Sequence, residues 1–92
     1  MRRAARVDET QPAIVAALLA AGASVDVIGW PVDLLVGFQG KTVPMECKNP
    51  KTSYGRKGPN DNQSDFLAKW RGGPVAFVDG PEAALRAIGA VK

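Results

Sequence analysis

The sequence has no histidine and only one cysteine, Cys47, in 92 residues. Without histidine the chain cannot by itself build a histidine-based zinc site, a Ser-His-Asp triad or a phosphodiesterase centre with a histidine general base. One cysteine excludes an internal disulfide and a cysteine zinc cluster, and it fits a reducing compartment, so a cytoplasmic location is expected. No apolar run approaches the roughly 20 residues needed to span a bilayer. The Ala-rich stretch from Ala13 to Ala21 is too short and follows two acids, Asp8 and Glu9, so neither a membrane span nor an export signal is expected. If the chain is an enzyme, carboxylates and lysine must carry its chemistry.

What remains is an ordinary globular composition, 46% hydrophobic, in a length that allows one small domain over residues 1–92. Twelve basic against nine acidic residues leave a net charge of +3. The distribution says more than the total. Arg2, Arg3 and Arg6 make residues 1–7 a basic arm, and Lys48, Lys51, Arg56 and Lys57 lie in a stretch without an acid from Cys47 to Asn60. Residues 49–60 read as a polar, basic loop. Such patches meet a polyanion, most often nucleic acid, or are simply solvated loops.

Hydrophobic spacing sets the elements. Asp8-Glu9-Thr10-Gln11 resembles a capping box with Asp8 as N-cap, and Ile14, Val15, Leu18 and Leu19 form the inward stripe of a helix that Gly22 ends. Val25–Ile28 is a short strand broken by Gly29-Trp30-Pro31. Leu34–Phe38 and Lys41–Met45 form a hairpin around Gln39-Gly40, continuing through Glu46-Cys47-Lys48. Asp61–Trp70 predicts a helix with Phe66, Leu67 and Trp70 facing inward. Pro74–Val78 predicts a fourth strand, parallel to the third because a helical crossover joins them, and a last helix runs through Ile88.

The hairpin register brings chemistry together. With a two-residue turn, Phe38 faces Lys41, and counting outward sets Asp33 opposite Glu46 on one face of the sheet, with Cβ atoms roughly 4.5 to 5.5 Å apart. Lys48, two residues on, shares that face. Opposed like charges destabilise a sheet unless something positive lies between them, and a divalent cation with a nearby ammonium would serve. Pro44 removes a ladder donor, so it implies a bulge, a strand end or an unpaired edge. Val43, Met45 and Cys47 take the apolar face, with Cys47 expected to be a small buried residue rather than a nucleophile.

The order helix, three strands, helix, strand, together with Asp33, Glu46 and Lys48, resembles the PD-(D/E)XK nuclease superfamily, and within it the small stand-alone VRR-NUC (virus-type replication-repair nuclease) domains found in bacteriophages. The likeness runs from Arg6 to Val78. It includes Glu9 in the first helix, Pro31 to Gly37 at the second strand, Glu46-Cys47-Lys48, Gln63 to Phe66, and Gly72-Gly73-Pro74-Val75 before the last strand. One departure concerns the local backbone: the family's proline directly precedes the aspartate, whereas Val32 intervenes here.

The resemblance implies an α/β restriction-endonuclease-like core, αβββαβ plus a C-terminal helix, around a mixed four-stranded sheet. It implies Mg²⁺ or Mn²⁺ held by Asp33, Glu46 and the backbone carbonyl of Cys47, with Lys48 orienting or helping to deprotonate the attacking water, or offsetting charge in the transition state. Glu9 is either an acid favoured by the helix dipole or a supporting contact to metal or water, and Gln63 either caps its helix or faces the site. Lys51, Tyr54, Arg56 and Lys57 would grip the DNA backbone or belong to an exposed linker. Trp30 and Trp70 are expected in the core or at a subunit interface. The expected function is metal-dependent cleavage of DNA, structure-selective on branched forms such as four-way junctions, by a homodimer in the cytoplasm, or in the host cytoplasm if a phage encodes it. The alternatives are a nucleic-acid-binding accessory module with this fold and no activity of its own, and a structural or packaging protein; an ordinary salt-bridged strand pair is the bland counterpart of the site itself.

Overall fold

The computed structural model describes residues 9–49 and 61–91. Along the chain these form α1 (Thr10–Ala20), β1 (Ser24–Val27), β2 (Leu34–Phe38), β3 (Lys41–Cys47), α2 (Asp61–Lys69), β4 (Ala76–Val78) and α3 (Pro81–Ile88). The described residues are thus α/β, with three helices and one mixed four-stranded sheet in the order β1-β2-β3-β4. β1–β2 and β2–β3 are antiparallel, and β3–β4 is parallel across the α2 crossover, as the strand–helix–strand order requires. Among the described residues no helix is long and apolar enough to cross a membrane.

The hairpin has the expected register, Phe38 opposite Lys41 and Leu34 opposite Met45. Gln39 and Gly40 have φ of 52° and 79°, both positive, as in the tight type I′ turn whose twist matches that of the strands. Gly40 adopts this backbone freely, while Gln39 carries a side chain in a region that L-residues avoid. Replacing Gln39 with Asn, the favoured residue before Gly in such turns, is expected to stabilise the fold by about 0.5 kcal/mol and raise the melting temperature by ~2–4 °C. A thermal melt followed by circular dichroism checks it; an unchanged or lowered midpoint would mean that the turn carries no such strain.

Pro44 takes the third of the options its chemistry leaves open. It pairs with Leu35 without a bulge, and β4 pairs with β3 only from Met45 onward. Alternation along the ladder from the Phe38–Lys41 pair turns the position of the missing donor away from β2, toward the part of the β3 edge that β4 has not reached.

Alternate residues of the strands face the helices. Leu34, Val36 and Met45, with no exposure, meet Ile14 and Leu18 of α1 and Ala84 and Ile88 of α3, and Val78 closes the core. Burial of each large aliphatic side chain contributes about 1.5–3 kcal/mol, so this layer is what holds the sheet in place. α1 ends with the Ala23 N–H donating to the Leu18 carbonyl and the Gly22 N–H to the Leu19 carbonyl, which satisfies carbonyls that the helix itself leaves open.

Several expected details differ. α1 begins at Thr10 with Glu9 as N-cap and no side-chain cap, so Asp8, outside the described residues, is not the N-cap. Leu19 is 55% exposed, because one helical step beyond Leu18 carries it off the face that α3 and the sheet cover. β1 is Ser24–Val27 rather than Val25–Ile28, and β4 starts at Ala76 rather than Pro74. Cys47 is partly buried and packs against the edge of the core.

Trp70, expected to face inward from its helix, departs furthest from expectation. α2 ends at Lys69, leaving Trp70 outside it and 41% exposed. The Trp70 indole N–H donates to the Gly73 carbonyl at 2.6 Å, and its ring lies against Phe66 with centroids 5.2 Å apart. This fold-back carries the ring over Gly72, where any Cβ would collide with it. Trp30 is 58% exposed, so neither tryptophan belongs to the core.

Candidate metal centre

Asp33 and Glu46 occupy the opposed positions one step beyond the Leu34–Met45 pair, on the sheet face away from α1 and α3. Asp33 is held at every polar group of its backbone. Its carbonyl accepts from the Ile28 N–H at 3.0 Å and from the Gly29 N–H at 3.2 Å, where the chain leaves β1. Its own N–H donates to Glu46 Oε1 at 3.2 Å, and its Oδ2 accepts the Cys47 N–H at 2.8 Å. The two carboxylates are therefore cross-linked through each other's strands. Such bonds fix side-chain rotamers before any ligand arrives.

Glu46 is a buried acid, 8% exposed. Its Oε2 lies 3.6 Å from Lys48 Nζ, an ion pair too long to be a good hydrogen bond. The Lys48 side chain is itself only 12% exposed, and its backbone N–H donates to the Val78 carbonyl at 2.8 Å, continuing the register with β4. Glu46 and Lys48 point the same way because they are two residues apart on a strand. Among the described residues, the formal charges of Asp33, Glu46 and Lys48 in this nearly dry cluster sum to −1.

This donor set suits a hard cation. Among the described residues, no group of three or more His, Cys, Asp or Glu side chains is placed to hold a metal, so the side-chain donors are two carboxylates. Mg²⁺ is commonly held by one or two carboxylates and keeps several waters, and the Cys47 carbonyl would add a third protein oxygen. Asp33 Oδ1 accepts no hydrogen bond among the described residues, which leaves it available as a donor.

The remaining candidates divide. Gln63, in the first turn of α2, is 6% exposed and donates from Nε2 to the Pro31 carbonyl at 3.3 Å. It thus ties α2 to the segment that positions Asp33, rather than merely capping its helix. Glu9 is exposed at the start of α1 and does not join the carboxylate pair. Lys51, Tyr54, Arg56 and Lys57, with the arginines of the N-terminal arm, lie outside the described residues.

Sequence reasoning missed Phe77. Its pairing with Glu46 sets it on the same face of the sheet, 45% exposed, with Lys48 Nζ 6.0 Å from its ring centroid. Only the β3–β4 register reveals this, since a three-residue strand has too little alternation to fix which way its middle residue points.

A groove of about 510 Å³ lined by Lys41, Thr42, Val43, Pro74, Ala76 and Ala87 lies toward the other end of β3. It contains no carboxylate and does not include Asp33 or Glu46. No protein-family model matches the chain, and no curated protein or solved structure matches it either.

Proposed function

We propose that this protein is a metal-dependent DNA endonuclease built on a PD-(D/E)XK core of the VRR-NUC type, acting on branched DNA. The observation that carries the reading is the pinned, opposed pair Asp33–Glu46 with Lys48 beside it. Two carboxylates held together on a mostly buried sheet face are a poor choice for stability alone. They suit a Mg²⁺ or Mn²⁺ site, with Asp33, Glu46 and the Cys47 carbonyl as ligands.

When bound, the cation would polarise the scissile phosphate and lower the pKa of a coordinated water. The chain's own residues do the rest. Asp33 and Glu46 keep the site oxygens fixed, so little reorganisation is needed during the reaction. Lys48, as an ammonium, orients the attacking water and offsets negative charge on the phosphorane-like transition state. A water oxygen forms a bond to phosphorus as the bond to the leaving oxygen breaks. The water loses a proton to solvent, and the leaving oxygen takes one up. Gln63 acts at one remove, holding the Pro31 segment through which Asp33 is reached.

A chain of this size offers one site, and a C₂ homodimer would supply two related by a dyad, suited to paired cuts in a four-way junction. The exposed Val27, Ile28 and Trp30 at the β1 edge support self-association there. A cytoplasmic setting, or the host cytoplasm for a phage product, goes with this reading.

The test is cleavage of end-labelled four-way junction, flap and plain duplex DNA in Mg²⁺, Mn²⁺ and EDTA, beside Lys48→Ala, with sedimentation equilibrium on the same preparation. Metal-dependent cutting that prefers the branched forms and is lost in the variant is expected. Tight, salt-dependent DNA binding without cutting by a folded wild type would favour the accessory-module alternative instead.

A further inference from the structure

A lone exposed apolar side chain on a protein surface is ordinary and needs no explanation. Phe77 is different because of its place. It sits in β4, an edge strand of the sheet, directly beside Glu46 in the β3–β4 register. Neighbouring strands lie about 4.7–4.9 Å apart, so the two side chains leave the sheet from adjacent positions on the same face. Its ring is also 6.0 Å from the Lys48 ammonium, close enough for a weak cation–π contact. Across the face, Asp33 flanks Glu46 on the other side. The order across the sheet is therefore carboxylate, carboxylate, aromatic ring, with an ammonium next to the last two.

That order matches a nucleotide. A phosphate over the carboxylate pair and Lys48 has its base one step away, over a half-exposed aromatic face. Leu35, 39% exposed, lies on the same face two residues along β2 from Asp33. In intact duplex DNA both faces of a base are already stacked, so an aromatic ring can take a base only where the strand is single, frayed or branched.

We infer that Phe77 is a base-stacking platform that receives an unstacked base flanking the scissile phosphate. The substrate class is then nucleic acid with an unpaired nucleotide at the cut. This rests on the nuclease reading above and names what selects the substrate within it.

The test uses the full chain in Ca²⁺, with fluorescence anisotropy of three labelled probes: an oligothymidine strand, an abasic strand of equal length and a blunt duplex. Phe77→Leu keeps an apolar side chain without a ring, and Phe77→Trp keeps a ring; circular dichroism melts establish that both are folded. Wild type is expected to bind oligothymidine more tightly than the abasic strand. Phe77→Leu should lose about 5- to 150-fold of that affinity, the range for one stacked base, and Phe77→Trp should retain it. Cleavage of a forked duplex in Mg²⁺ should follow the same ranking. Equal binding of thymidine and abasic strands by wild type, or a Phe77→Leu variant that binds and cuts like wild type, overturns the inference and leaves the nuclease reading intact if metal-dependent cutting persists. Neither cutting nor salt-dependent binding of any probe by wild type overturns the nuclease reading, and the inference falls with it.

Discussion

Replacing Asp33 with asparagine is expected to reduce Mg²⁺-dependent cleavage about a thousandfold or more while leaving the metal-free protein at least as stable as wild type. The loss follows from removing one of two anionic ligands in a mechanism where metal charge stabilisation supplies several kcal/mol, at tenfold in rate per 1.4 kcal/mol. The stability follows from the contacts. Asn can still accept the Cys47 N–H that Asp33 Oδ2 accepts at 2.8 Å, and its backbone N–H can still donate to Glu46 Oε1. What disappears is the repulsion between opposed carboxylates, about 0.2–1 kcal/mol.

Adding Mg²⁺ should invert the order of stability. Wild type gains about 1.4 kcal/mol at a tenfold excess over its dissociation constant, and the variant gains little. Parallel thermal melts in EDTA and in Mg²⁺ read both effects. If the substitution destabilised the protein in EDTA and Mg²⁺ moved neither melt, Asp33–Glu46–Lys48 would be an ordinary structural ion-pair cluster.

Met45→Ala is expected to have the largest effect on folding, about 2–5 kcal/mol, as for other large-to-small changes at fully buried sites. Met45 has no exposure, pairs with Leu34 on one side and Ala76 on the other, and immediately precedes Glu46. A domain of this size has roughly 5–15 kcal/mol in total, so the variant should melt at least ~10 °C lower. Met45→Leu, close in volume, should lose less than about 1.5 kcal/mol. Urea denaturation of the three proteins checks this. Equal midpoints for the alanine variant and wild type would mean that β3 is not the centre of the packing.

The carboxylate pair was legible in the sequence because a two-residue turn is a rigid ruler. Gln39-Gly40 fixes Phe38 against Lys41, and period-two alternation then carries the register out to Asp33 and Glu46 without help from the rest of the fold. The parallel β3–β4 pair was legible for a similarly local reason, the helix between them. What stayed hidden depends on tertiary contacts. Trp70 sits where helical periodicity would turn it inward, yet its indole finds the Gly73 carbonyl and the chain leaves the helix one residue earlier. The exposure of Leu19 depends on where α3 ends its cover of α1. Gln63 read either as a local cap or as a residue facing the site, and its bond to the Pro31 carbonyl, 32 residues away in sequence, is one that only the packing of α2 near the start of β2 creates. Phe77 became visible as part of the site only through its partner Glu46.

The chemistry proposed here requires Asp33 and Glu46 to hold a divalent cation together, and calorimetric titration of Mn²⁺ into wild type, Asp33→Asn and Glu46→Gln measures that without reference to any substrate. Saturable binding by wild type at up to millimolar Mn²⁺, lost in both folded variants, is the predicted result. Absence of binding by wild type, or binding that either variant retains unchanged, would contradict it.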